Sequence, residues 1–185
     1  MNDPKNICFA PFEGIHSGKS VAVLGCGPTV KLYDKPKDII HVGCNELIYS
    51  SISIDYYFVG DAQTAWPKRN KTFSKDPNAY NAFQANIAKF VRDHPQDACS
   101  VLKANGGNLV DHAVHYKVCD DAMTYEQFYH RRQDDLQTDI VNNYMYSKMS
   151  ITWEMMQFAL WTGASRIYLI GHDCSYAKGS LHNPH

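Results

Sequence analysis

Three kinds of pattern are missing from this sequence. No stretch approaches the roughly 20 consecutive apolar residues that a bilayer-spanning helix needs. No two cysteines are spaced as C-x-x-C. The six, Cys8, Cys26, Cys44, Cys99, Cys119 and Cys174, are scattered, which argues against a structural zinc site or a disulfide framework. Neither sign of charge dominates: 18 Lys and Arg stand against 19 Asp and Glu, a net of -1. Nothing therefore draws the chain to nucleic acid or to an anionic membrane. Internal repeats and low-complexity tracts are absent as well. Met1-Asn2-Asp3-Pro4-Lys5 has neither the charged nor the apolar region of a secretory signal, so the expectation is a cytoplasmic protein with reduced cysteines.

What is present is a chain of 185 residues, long enough for one domain with a substantial core. Residues 1–19 read as a lead-in. Ser20–Leu24 is a short apolar run ending in Gly25, the signature of a buried strand. Gly27-Pro28-Thr29 then opens a turn or short helix, where proline is tolerated. Asp38–Val42 and Asp55–Val59 predict two more strands, and Arg166–Ile170 a further one. Before the last lies a helix with Ser150 as N-cap, Ile151, Met155, Phe158 and Ala159 on one face, and Gly163 at its end. The middle is read as follows: Asp76-Pro77 opens a helix through Tyr80, Phe83, Ile87, Phe90 and Val91; 100–102 and 114–118 are strands; 124–136 is a polar helix. The pattern predicts an α/β fold of Rossmann-like type across 1–185, mostly parallel, with helices on both faces and an insertion or helical part at 62–149.

The chemistry gathers at strand ends. Gly25-Cys26-Gly27, Gly43-Cys44-Asn45, Gly60-Asp61 and Gly171-His172-Asp173 each end or follow an apolar strand. In an open parallel sheet such loops share the carboxyl edge, where ligands bind. Gly25 and Gly27 allow a backbone to approach a phosphate closely; a tight turn is the structural alternative. Val30 stands where a dinucleotide fingerprint has its third glycine, which disfavours an oxidoreductase. Asn45 is either a ligand contact or a turn residue. Asp61 and Asp173 are either helix caps or pocket carboxylates, able to hold Mg²⁺ or to act as an acid/base pair. On the functional reading both point into one pocket. His172, Cys174, His182 and His185 match no zinc spacing, and no metal site is expected.

These motifs resemble two related groups. Residues 18–29, Gly-Lys-Ser-Val-Ala-Val-Leu-Gly-Cys-Gly-Pro-Thr, are similar to the opening "G-x-GPS" strand and loop of the MptE-like family, which includes 6-hydroxymethyl-dihydropterin diphosphokinases, and of the bacterial sialyltransferases of glycosyltransferase family 42. Residues 54–61 resemble the MptE-like strand ending in an aspartate. Residues 163–173 resemble the closing "G-x-x-x-I-x-L-x-G-x-D" of both groups, and Cys44-Asn45-Glu46 the sialyltransferase "C-N-Q" segment. The resemblance covers 18–61 and 150–182; the middle does not align.

The resemblance implies a nucleotide-binding group transferase. The leading form is a sialyltransferase-like glycosyltransferase with a nucleotide-sugar donor, a CMP-sugar being favoured, and a glycan or small-molecule acceptor. The alternatives are a diphosphokinase using ATP and Mg²⁺, and a nucleotide-binding module without catalysis. Gly25, Gly27, Thr29, Asn45 and Ser150 would contact the donor. Asp61, Asp173 and His182 would be catalytic. The sialyltransferases have a tyrosine two residues after the closing aspartate; here it is Ser175, with Tyr176 next. Their catalytic histidine lies in a segment beyond this sequence. The expectation is an incomplete catalyst, completed by a partner subunit (a homo-oligomer is one form), by further sequence, or by His182 and His185. On this reading Gly27→Val blocks binding and leaves folding largely intact.

Overall fold

The computed structural model describes residues 6–34, 36–45, 47, 52–60, 88–92, 113–116, 118, 136–146 and 150–173. Six strands run in one parallel sheet: β1 Ser20–Leu24, β2 Ile40–Cys44, β3 Tyr56–Val59, β4 Ala88–Arg92, β5 Ala113–Tyr116 and β6 Arg166–Ile170. Their order is β5-β4-β3-β2-β1-β6. The chain steps outward from β1 to β5 and then returns to the other side of β1. That reversal between β1 and β6 is a topological switch point. An α-helix, α1 (Ile151–Trp161), precedes β6 and lies over β1, β2 and β3. Among the described residues it is the only α-helix.

Successive side chains of a strand point to opposite faces, and β1 divides the core accordingly. Val21 and Val23 join Phe9, Val42, Phe58, Phe90, Tyr116, Met155 and Phe158 on the α1 face. Ala22 and Leu24 join Val30, Leu47, Ile54, Tyr57 and Val59 on the other. A strand buried on both faces must be apolar throughout, which is why Val21–Leu24 reads as an unbroken run. β6 differs: Arg166, Tyr168 and Leu169 are exposed along this edge strand.

Several expectations need correction. Phe90 and Val91 belong to β4, not to a helix. Their apolar spacing suits either period over so short a stretch, and pairing with β3 decides it. β4 and β5 place parts of 62–149 within the main sheet, where a helical insertion was expected. The expected strand at 114–118 is β5, shifted to Ala113–Tyr116, while the expected strand at 100–102 and the helix residues 76–87 and 124–135 lie outside the described residues. β2 begins at Ile40, because Lys37 and Asp38 form a turn ahead of it. The lead-in is also more than a lead-in. Ile7–Phe12 is a 3-10 helix that seats Phe9, fully buried, with ring centroids 5.0 Å from Phe90 and 5.7 Å from Phe158. The following turn caps α1. Gly14 N–H donates to Trp161 O (3.0 Å), His16 N–H to Thr162 O (2.7 Å) and Gly18 N–H to Gly163 O (3.3 Å), satisfying carbonyls that a helix end leaves unpaired.

Two fully buried polar side chains of α1 fix its position. Gln157 Oε1 accepts from the amides of Gln137 (3.2 Å) and Tyr146 (3.0 Å), and its Nε2 donates to Tyr146 O (2.6 Å) and Trp153 O (2.9 Å). Glu154 accepts from the Arg92 guanidinium through Oε1 and from the Tyr116 hydroxyl through Oε2. Arg92 ends β4 and Tyr116 ends β5, so one carboxylate ties the first turn of α1 to two strand ends. Burial works against the charge on Arg92, but the adjacent carboxylate more than offsets it and its pKa is raised. Burial, and then Glu154, push the Tyr116 hydroxyl well above its ordinary value. Removing one member of a buried pair strands the other charge and costs about 3–5 kcal/mol. Glu154→Ala should lose about that much in urea unfolding. The double variant Arg92→Met, Glu154→Leu should recover most of it, since no unpaired charge remains; equal losses in both would refute this account.

Candidate functional site

The β1 and β6 loops meet at the switch point with little space between their backbones. Gly25 N–H donates to Ile170 O and Gly27 N–H to Gly171 O, each at 2.8 Å. A Cβ on Gly25 would sit 2.5 Å from Gly171 O and 2.8 Å from the His172 ring. One on Gly27 would fall inside contact distance of Asp173 Oδ2 and 2.6 Å from Gly171 O. One on Gly171 would meet Gly25 O at 2.7 Å, and its φ of 72° is itself one that L side chains avoid. These three glycines are thus required by the meeting of two loops. Gly25 and Gly27 were expected to contact the donor; their amides bond protein carbonyls. The expectation that Gly27→Val leaves folding largely intact is corrected on the same ground.

Asp173 crosses to the β1 loop. Its Oδ2 accepts from Thr29 N–H at 3.1 Å and its Oδ1 from the Thr29 hydroxyl. Pro28–Leu32 is a 3-10 helix with Gly27 ahead of it, so the carboxylate lies at the start of that turn. Hydrogen bonds from the Thr29 hydroxyl and amide hold the Asp173 pKa below its ordinary value. His172 turns the other way. Its Nε2 lies 3.1 Å from Val23 O, which can only accept, so Nε2 carries the proton. Nδ1 then accepts from Thr152 Oγ1 at 3.1 Å. Burial lowers the His172 pKa, and both ring nitrogens are engaged. His172, which matches no zinc spacing in the sequence, joins β6 to β1 and to the first turn of α1.

Asn45 follows β2 with a left-handed φ of 45°, a conformation asparagine tolerates better than most residues. Its Oδ1 accepts from Gly60 N–H at 3.2 Å and its carbonyl from Tyr57 OH at 2.5 Å. It therefore joins the carboxyl ends of β2 and β3. Ser150 is the N-cap of α1, its Oγ accepting from Thr152 N–H at 3.4 Å. Thr29, Asn45, Gly60, Ser150, His172 and Asp173 all belong to the same edge of the sheet. Asp61 and His182 lie outside the described residues, and so does the expected convergence of Asp61 with Asp173. Among the described residues, no three His, Cys, Asp or Glu side chains gather so as to hold a metal ion, and no helix is long and apolar enough to cross a membrane.

The opposite edge has its own polar groups. Asp55 accepts from His41 N–H at 2.8 Å, Tyr33 OH meets His41 Nε2 at 3.1 Å, and Tyr56 OH meets His16 Nε2 at 2.7 Å. These sit at strand starts, where they join β2, β3 and the lead-in. The Arg92–Glu154–Tyr116 cluster at the carboxyl edge was not foreseen. A glutamate on an apolar helix face was the available signal. Comparison of the chain with protein-family models, with curated proteins and with solved structures found no match.

Two outcomes are expected from this geometry. A depressed carboxyl pKa means that the Thr29–Asp173 contact is complete at neutral pH and is lost as pH falls through that lowered value. The Thr29 amide resonance should hold steady on acidification and move only below the ordinary aspartate pKa of about 3.9; movement centred above it would contradict the contact. Gly27→Ala should destabilise by about 1–3 kcal/mol in urea unfolding through overpacking. Adding Asp173→Ala should not restore full stability, because the Gly171 carbonyl still blocks the new Cβ; full recovery would be the contrary result.

Proposed function

We propose that this chain binds a nucleotide at the carboxyl edge beside the β1–β6 switch and uses it in group transfer, as a sialyltransferase-like glycosyltransferase with a nucleotide-sugar donor. A CMP-sugar is the favoured donor. The observation that carries the reading is the strand order β5-β4-β3-β2-β1-β6, whose reversal falls between the two loops that resemble the opening and closing motifs of those transferases. Ligands of open parallel sheets bind outside the strand ends at such a reversal.

The glycines do not act as the phosphate cradle on this reading; they bring the loops together. The groups offered to the donor are the Thr29 amide and hydroxyl and the side chain of Asn45. Asp173 holds both Thr29 donors, so a donor phosphate takes them by replacing one anion with another. The displaced carboxylate is then able to accept a proton from the acceptor hydroxyl. Orientation of the donor and stabilisation of the departing phosphate supply the remainder of the catalysis. His172 is a positioning residue, since neither ring nitrogen is available as a base. Asp61 and His182 complete the set of catalytic candidates carried by the resemblance.

Asp173→Ala removes the competing anion. It should tighten CMP about tenfold in calorimetry, while abolishing transfer. Thr29→Val should weaken binding. A panel of CMP, CDP, UDP, GDP and ATP, with and without Mg²⁺, separates a CMP-sugar enzyme from an Mg²⁺-dependent diphosphokinase. Absence of binding by every nucleotide, to wild type and to Asp173→Ala alike, would overturn the proposal.

A further inference from the structure

Cys26 and Cys44 stand at the ends of neighbouring parallel strands. The register pairs Leu24 with Gly43, so Cys44 lies opposite Gly25 and Cys26 one residue further along. With strands about 4.8 Å apart and a rise of about 3.3 Å per residue, a diagonal pair of this kind has its Cα atoms about 6 Å apart. That is within the range a disulfide spans. The side chains are engaged already. The Cys26 thiol donates to Cys44 O at 3.4 Å, the Cys44 thiol donates to Leu24 O at 3.6 Å, and the two thiols interact directly. Cys26 is partly exposed at the site edge, whereas Cys44 is buried in the core.

We infer that Cys26 and Cys44 form a reversible dithiol–disulfide modification site, oxidised by a hydroperoxide, that fastens the β1 loop to the end of β2. The Cys26 thiolate attacks the peroxide O–O bond, giving Cys26 sulfenic acid and releasing water or an alcohol. The Cys44 sulfur then attacks the sulfenic sulfur, forming the S–S bond and expelling water. In sum two thiols lose two electrons and two protons, and the peroxide takes up both. The division of roles follows from exposure: oxidant reaches Cys26, and Cys44 resolves it from the core side. The neighbouring Cys26 side chain is the largest factor raising the Cys44 thiol, with burial next. Oxidation of Cys26 alters that influence at the moment Cys44 must react. Burial pushes the Cys8 thiol up to about 11. The inference stands independently of the nucleotide reading, because it needs only the two strand ends.

The test is hydrogen peroxide titration of the folded chain, followed by alkylation and non-reducing peptide mapping. The expected product is a Cys26–Cys44 cross-linked peptide as the main disulfide, reversed by dithiothreitol. Cys44→Ser should leave Cys26 as a sulfenic acid that dimedone traps. Cys26→Ser should leave Cys44 unmodified at the same dose. Circular dichroism establishes that each variant is folded. Cross-links from Cys26 chiefly to other cysteines, formation of the pair only in urea, or conversion of Cys26 straight to the sulfinic acid without a cross-link would each overturn the inference.

Discussion

The structure depends on the approach of two backbones between β1 and β6. Gly25 and Gly27 donate to the carbonyls of Ile170 and Gly171 beyond the last regular pair of the two strands. Those bonds extend the strand pairing into the loops, and they are compatible only with residues lacking a Cβ at three positions. The placement of His172 and Asp173 follows from that contact. It sends His172 inward to Val23 and Thr152, and it sets Asp173 onto Thr29. A loop that closes so tightly cannot also offer its glycine amides to a ligand. What this corner presents instead is side chains, among them the Asp173 carboxylate held on the amide and hydroxyl of Thr29.

A second constraint holds α1 over the sheet. Its buried face carries Met155, Phe158 and Ala159, but apolar packing alone does not select one register along the strands. Glu154 does so by bonding groups from the ends of β4 and β5, and Gln157 by making three hydrogen bonds to a separate segment and a fourth to Trp153 O within the helix. Because Thr152 lies on the same first turn and bonds His172, the anchoring of α1 reaches the switch point through a continuous set of contacts. Buried polar groups are costly unless satisfied, and here satisfaction is what makes the placement specific. Among the described residues two side-chain atoms depart from this rule: Arg92 Nε and His16 Nδ1 are buried without a hydrogen-bond partner.

Much of the sheet was legible in the sequence by itself. Val21–Leu24 and Tyr56–Val59 are apolar without interruption because both faces of a central parallel strand are covered. Ser150 and Gly163 bracket α1 because a helix start needs a side-chain acceptor and its end a left-handed residue. The glycines at strand ends also marked loops that share one edge of the sheet. Tertiary structure decided the rest. Phe90 could be helix or strand until β3 offered it a pairing partner, and Phe9 looked like part of a lead-in until its ring met four others in the core. Glycine before a turn signifies the same thing in sequence whether a phosphate or another loop comes close. Only the position of Gly171, in contact with Gly25 and Gly27 across more than 140 residues of chain, shows which it is. A local pattern records the conformation a residue must adopt; the neighbour that makes the conformation necessary is a matter of long-range packing.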